Sequence, residues 1–363
     1  MKEWIKSFDG LRFFFILFLM FHHFDSFSDL GVNGWNEIMS WLKEGFVSVN
    51  FFFLLSGFVV QYAYKDRLLN KKTGSIEFLF NRLAHLYPTY LLFFVGAIAI
   101  YSRNQWLGAI QSSGFLLHLF ALQSWIPIAP QDLAFKWNGL AWAVSTEIFF
   151  YLAFIFLVFI PNRYLIAFAS SIFIIVSLQI SIIGGSSNLA GWFFYISPFC
   201  RLLDFLIGMV LCNFVINNKY VKKNRTIFSF LELLSLVVLF AFVAVGRYSD
   251  IPWQWRWQIF YLIPCAIIVF VFSFNSGVIS EILGKPHFSL LGKISFPLYL
   301  CHQEVFYLIK IYLCKDPMTI DMLFIYGIIG IILSIVISFI VYYTVTKPVN
   351  MFLRRVYKGN KSH

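Results

Sequence analysis

Charge is scarce in this sequence. Asp, Glu, Lys and Arg make up 12% of its 363 residues, against roughly 25% in a soluble domain. That scarcity excludes a water-soluble globular chain of this length. Short alternating strands are missing too: runs such as Leu165–Ile183 do not alternate, which argues against a transmembrane barrel. The five cysteines, at 200, 212, 265, 301 and 314, show neither metal-ligand spacing nor a disulfide framework. Most fall in apolar runs, where a small packing residue is the ordinary reading. No internal repeat is visible, so a transporter of inverted repeats lacks a usual signature. No low-complexity tract occurs, and no extramembrane stretch is long enough to fold alone. The basic N-terminus precedes an apolar run without a small-residue cleavage site, so it reads as a retained first span.

Apolar side chains are what the chain has in quantity: 60% of residues are hydrophobic and mean hydropathy is +0.77. Apolar stretches of about 20 residues recur along its length, the mark of a polytopic all-α membrane protein. About ten transmembrane helices are expected, at 9–29, 44–65, 84–102, 139–160, 164–183, 195–215, 227–246, 257–275, 289–313 and 320–346. They form one membrane-embedded domain over 1–363, with spans from 9 to 346 and a basic tail at 347–363. Phe115–Ile128 is apolar but short, and is expected to be re-entrant or surface-lying.

Lys and Arg outnumber Asp and Glu by 28 to 17, and their placement sets the orientation. With both termini cytoplasmic, 18 basic residues fall on the cytoplasmic side and six in the external loops (Lys43, Arg103, Lys136, Arg247, Arg256 and Lys315). This is a strong positive-inside asymmetry. A full span at Phe115–Ile128 would carry the cluster at 219–225 to the outside. The basic excess therefore serves topology and anionic lipid, not nucleic acid. In the largest external loop, 103–138, Trp106, Trp125 and Trp137 belong to the interfacial aromatic belt or stack on a sugar.

Polar residues inside the spans narrow the function. Arg12 and His23 are eleven residues apart in the first span, hence on one helical face and ~16 Å apart in depth. Arg12 reads either as a snorkelling end residue or as a phosphate clamp. His23 reads as a hydrogen-bonded packing histidine or as a general base, and His22 points elsewhere. Glu147, on the fourth span, is expected near the depth of His23. It would either orient the imidazole, as the acid of a triad does, or hydrogen-bond a neighbouring Ser or Tyr. Ser56-Gly57 favours close helix approach. Arg201 and Asp204 are an i,i+3 pair able to neutralise itself. Ser295, Tyr299 and His302 form a polar stripe that lines a cavity or bonds a neighbouring helix.

Five ordered stretches carry a resemblance. They are Phe8-Asp9-Gly10-Leu11-Arg12 with His23 at its spacing; Gly45 through Ser56-Gly57-Phe58; Phe80-Asn81-Arg82-Leu83-Ala84-His85-Leu86-Tyr87-Pro88; Trp142 through Glu147 and Tyr151; and Leu291 through Ser295, Tyr299 and His302. Arg201-Leu202-Leu203-Asp204-Phe205 with Gly208 fits a sixth. Together they resemble the acyltransferase-3 family, membrane-bound enzymes that O-acetylate bacterial surface sugars. The third stretch departs from the family pattern, since Asn81 and His85 stand where arginines are usual and Arg82 alone remains.

The resemblance implies acyl transfer from an acyl-coenzyme A, most often acetyl, to a hydroxyl of a glycan or glycolipid, such as lipopolysaccharide O-antigen. It implies the bacterial cytoplasmic membrane, and neither metal nor cofactor beyond the co-substrate. His23 and Glu147 are then the expected catalytic residues, and Arg12, Arg82 and His85 the donor site. Asp9, Ser56, Arg201, Tyr299 and His302 are expected at the cavity, the acceptor or the oxyanion. Some members carry a C-terminal soluble domain. The residues after the last span are too few for one, so this chain is expected to deliver the acyl group itself or hand it to a partner. A related enzyme for a periplasmic glucan or a lipophilic small molecule stays open, as does a non-enzymatic transporter using Arg12, His23 and Glu147.

Overall fold

The computed structural model describes residues 3–102, 108, 114–127, 134–183, 188–218, 224–315 and 318–359. The expected loop tryptophan Trp106 and the basic residues Arg103, Lys219, Lys222 and Lys223 lie outside the described residues. Those residues are helices joined by turns, with no strand among them.

In chain order the helices are α1 (Ser7–His22), α2 (Trp35–Leu42), α3 (Val47–Leu69), α4 (Ser75–Ser102), α5 (Phe115–Leu119), α6 (Ala141–Leu157) and α7 (Asn162–Ile183). There follow α8 (Pro198–Asn217), α9 (Arg225–Tyr248), α10 (Leu262–Ser273), α11 (Val278–Leu283), α12 (Pro286–Tyr312), α13 (Ile320–Val341) and α14 (Lys347–Gly359). Among the described residues, 8 helical segments are long and apolar enough to cross a membrane. The two remaining expected spans are also helices. One is the shorter apolar α6; the other is α12, which carries Lys293, Glu304 and Lys310.

Three local differences follow from backbone chemistry. The first span stops being α-helical at His22, and His23–Leu30 winds as a 3-10 helix. Polar Asp25, Ser26, Ser28 and Asp29 crowd that stretch and compete for backbone partners. The stretch 78–88 before the third span reads in sequence as a short amphipathic helix at the cytoplasmic surface, but it is not a separate helix. It is continuous with the span in α4, which runs through Pro88. The described part of the stretch from 115 packs one side inward while Leu116 and Phe120 stay exposed. His118, Gln123 and Ser124 are buried, and Ser124 Oγ donates to the Trp142 carbonyl at 2.7 Å.

α3 lies at the centre, packed most extensively on α8. Glycine makes that approach possible. A Cβ on Gly57 would run into the Phe205 carbonyl, and one on Gly208 into the Leu54 carbonyl. The small pair expected in the second span is therefore a packing point. Gly208→Ala is expected to cost about 1–3 kcal/mol by overpacking. The four buried cysteines, Cys200, Cys212, Cys265 and Cys301, allow a thiol-reactive dye to report the melt; an unchanged midpoint would remove this contact from the fold's support.

α7, α9 and α13 surround the centre with one-sided apolar exposure, as at Ile174, Ile175, Leu233, Val237, Phe240, Ile332 and Val336. Such continuous apolar surface suits lipid, not water. The two ends of the chain lie at the same end of the bundle. Tyr62 donates to the Glu3 carbonyl at 3.0 Å. α14 packs on the start of α4, where Phe80 and Tyr357 stack at 4.5 Å.

Candidate active site

Polar residues gather at two depths. The outer tier is a cavity of about 730 Å³ whose walls include Leu19, His23, Val49, Trp137, Trp142, Tyr195, Tyr299 and Gln303. Aromatic rings dominate it, and Lys136 supplies a cation at its edge, 4.7 Å above the Trp137 ring. His23 stands in this wall as the C-cap of α1. Its Nδ1 lies 2.9 Å from Gln303 Nε2, and the His22 and His302 rings sit 4.9 and 5.1 Å away.

The inner tier brings two cations near the Glu147 carboxylate. Ser56 on α3 donates to Glu147 on α6. Arg82 on α4 donates to the Tyr151 hydroxyl at 2.5 Å and lies 4.6 Å over its ring. Tyr151 and Arg12 are both close enough to Glu147 to interact with it electrostatically. Asp9 holds Arg12 from behind at 3.4 Å. It also accepts from Trp4 Nε1 at 2.9 Å and from Ser289 Oγ at 3.0 Å. A Cβ on Gly292 would strike Asp9, so α1 and α12 meet there without a side chain between them.

Two helices give the same separation of the tiers. Leu19 lines the outer cavity and Arg12 belongs to the inner tier; Val49 and Ser56 repeat the relation on α3. Seven residues in each case make ~10 Å of helix. The expected meeting of His23 and Glu147 is thus corrected. The imidazole's partner is Gln303, and the carboxylate is held two turns further in by Ser56. The physical reason is where each helix begins and ends. α1 ends at His22, so His23 is carried to the outer rim. Glu147 sits well inside α6, against the middle of α3.

The other expected residues divide between the tiers and the frame. His85 faces the tail helix, 3.4 Å from Asn350 Nδ2. Tyr299 lines the cavity, but its hydroxyl donates to the Leu140 carbonyl at 3.1 Å. His302 is fully buried, its Nδ1 3.0 Å from the Leu298 carbonyl. Arg201 is fully buried too. It donates from Nε to the Tyr195 carbonyl at 2.8 Å and from Nη1 to the Trp257 carbonyl at 2.6 Å, both in π-helical turns. It sits beneath the cavity wall, 5.3 Å from the Tyr195 ring and 5.9 Å from that of Trp142.

Gln303, Gly139, Tyr195 and Lys136 were not expected at the site. Gln303 had a usable signal: it stands four residues after Tyr299, on the face already marked as polar. Tyr195 and Lys136 had none, because aromatics and isolated lysines abound near the ends of spans. Among the described residues, no group of His, Cys, Asp and Glu is arranged to hold a metal ion.

Comparison with known proteins gives the chemistry. A family model described as an acyltransferase domain, that of the acyltransferase-3 family, matches residues 5–343. The chain is 27% identical over 327 residues to the acyltransferase MdmB of Streptomyces mycarofaciens, covering 83% of this chain and 79% of that protein. It is 25% identical over 347 residues to a putative O-acetyltransferase of Staphylococcus aureus strain COL, covering 89% and 54%. It is 22% identical over 379 residues to the O-acetyltransferase OatA of Staphylococcus aureus strain NCTC 8325, covering 96% and 57%. The chain thus spans about half the length of the staphylococcal relatives it matches. No solved structure matches it.

Proposed function

We propose, for a chain that belongs to the acyltransferase-3 family and is an acyltransferase enzyme of the membrane, that its donor is an acyl-coenzyme A and its acceptor a glycan hydroxyl. The donor is most simply acetyl-coenzyme A, approached from the cytoplasmic side of a bacterial inner membrane. The acceptor is a cell-envelope sugar, such as lipopolysaccharide O-antigen or another surface polysaccharide, entering from outside. The observation that carries this reading is the two-tier layout: a cationic cluster within, and an aromatic cavity holding an imidazole without.

Arg12 and Arg82 suit a multiply charged phosphate donor, because a guanidinium presents planar paired N–H groups to phosphate oxygens. Glu147 and Tyr151 keep the two cations from repelling each other apart. His85 stands at the cytoplasmic approach. In the outer cavity Trp137, Trp142 and Tyr195 offer flat apolar faces to a pyranose ring, while its hydroxyls find polar groups. His23 takes the proton of the attacking hydroxyl as the sugar oxygen bonds to the thioester carbon. The carbon–sulfur bond then breaks, and the proton passes from His23 to the departing thiolate, restoring the imidazole. No cofactor beyond the co-substrate is required.

Two measurements test this. Deleting the gene in its host and weighing the surface polysaccharide by mass spectrometry is expected to show loss of acetyl groups; an unchanged mass profile would overturn the acceptor assignment. Arg82→Ala in the purified enzyme is expected to raise KM for acetyl-coenzyme A about tenfold or more, as befits loss of a charge-assisted contact worth roughly 1.5–3 kcal/mol. An unchanged KM would remove Arg82 from the donor site.

A further inference from the structure

An imidazole has two nitrogens, and a general base must keep one of them bare toward its substrate. At His23 the Nδ1 side is taken by Gln303, 2.9 Å away. Among the described residues the hydrogen bond made by this ring is the one at Nδ1, and the ring borders the cavity. The carboxamide is held from behind as well. A Cβ on Gly139 would lie 2.6 Å from Gln303 Oε1, so the missing side chain at 139 makes the room it occupies. Gly139 is itself anchored by its neighbour. Buried Asn138 donates to the Leu300 carbonyl at 2.9 Å and accepts from Leu140 N–H at 3.0 Å. Gln303 is thus wedged between the entry to α6 and the imidazole.

What surrounds His23 otherwise is basic or neutral: His22 on α1, His302 on α12, and Lys136 across the cavity. The one carboxylate expected as a partner is committed to Ser56 in the inner tier. A carboxamide differs from a carboxylate in a useful way. It donates from one end and accepts at the other, and the two ends have nearly the same shape. With the amide nitrogen toward Nδ1, Nδ1 accepts and the imidazole proton sits on Nε2. With the amide oxygen there, Nδ1 carries the proton and Nε2 is bare. A neutral amide orienting a catalytic histidine has a precedent in the Cys-His-Asn constellation of papain-like proteases.

We propose that Gln303 is the positioning residue of His23: its carboxamide holds Nδ1, turns Nε2 to the cavity, and accepts the Nδ1 proton in the reactive tautomer, with Gly139 as the gap that seats it. This rests on the reading of His23 as the base. Gln303 also lines the cavity, but the role assigned to it runs through the imidazole.

The test uses the purified full chain in lipid nanodiscs, as wild type, His23→Ala, Gln303→Leu, Gln303→Glu and Gly139→Ala. One readout is kcat and KM for consumption of acetyl-coenzyme A. The other is the rate at which diethyl pyrocarbonate modifies His23, followed by peptide mass spectrometry with exposed His287 as internal reference. Gln303→Leu is expected to lower kcat about 30-fold or more, with KM within about twofold, as loss of an oriented base does. Gly139→Ala should move kcat the same way while removing no polar group. Gln303→Glu keeps an acceptor for the Nδ1 proton and should stay within about tenfold of wild type. His23 modification should change about threefold or more in Gln303→Leu and Gly139→Ala, with His287 unaltered.

The proposal is overturned if His23→Ala is inactive while folded Gln303→Leu keeps kcat within about threefold of wild type. It is equally overturned if His23 modification is the same in wild type, Gln303→Leu and Gly139→Ala. Full activity in His23→Ala is a different failure, because it removes the base itself. Should wild type not consume acetyl-coenzyme A, the modification rates alone decide. Should Gln303→Leu not fold, Gly139→Ala and Gln303→Glu decide.

Discussion

His23→Ala is expected to abolish measurable acyl transfer, with a loss of about 10²–10⁴-fold. The magnitude follows from the place of the imidazole. It is the imidazole in the wall of the outer cavity, with Nδ1 held by Gln303 and the ring bordering open space. Two nearby candidates are committed elsewhere: His302 is fully buried and Glu147 is bound by Ser56 in the inner tier. A small variant at 23 should leave the fold standing, since the residue caps a helix and borders a void. The check is single-turnover transfer from acetyl-coenzyme A alongside a thiol-dye melt. A variant that melts like wild type and still transfers at more than about a tenth of its rate would sink the role of His23.

The second large effect is on stability. Asp204→Leu is expected to destabilise the protein by about 3–5 kcal/mol, because it leaves a buried guanidinium without its counter-charge. Arg201 and Asp204 are both fully buried, 3.8 Å apart. Asp204 also accepts from Asn50 at 2.8 Å and Gln258 at 3.4 Å. Removing the carboxylate strands those donors as well as the cation. Replacing both members, Arg201→Met with Asp204→Leu, should cost less than the two single changes added, since no lone charge remains. The thiol-dye melt measures all three. If Asp204→Leu melts with wild type, the pair is not a support of the fold. Because Arg201 ties together two π-helical turns beneath Tyr195 and Trp142, the single variant should also distort the outer cavity.

Much of the architecture was legible from composition. Low charge and recurrent apolar stretches lead to helices spanning a membrane, and all the expected spans appear as helical segments. Pairings were less legible. Arg12 and Arg82 are 70 positions apart, yet both lie within electrostatic reach of Glu147, on a third helix. His23 and Glu147 looked level because each was measured from a guessed end of its own span. An error of one turn at either end shifts such an estimate by ~5 Å.

Sequence alone determined the class of protein, the positions of its helices, and the costly polar residues that had to face inward. Those properties follow from the price of exposing charge and backbone to lipid, which is paid residue by residue along the chain. Only the tertiary structure decided which polar residues meet. It assigned Glu147 to Ser56 near the two arginines, gave His23 to Gln303, and placed Arg201 beneath the cavity wall instead of in it. The reason is that side-chain partnership depends on rotation, offset and close approach between helices. Those are set by contacts such as Gly57 on Phe205 and Gly292 on Asp9, between residues far apart in the chain.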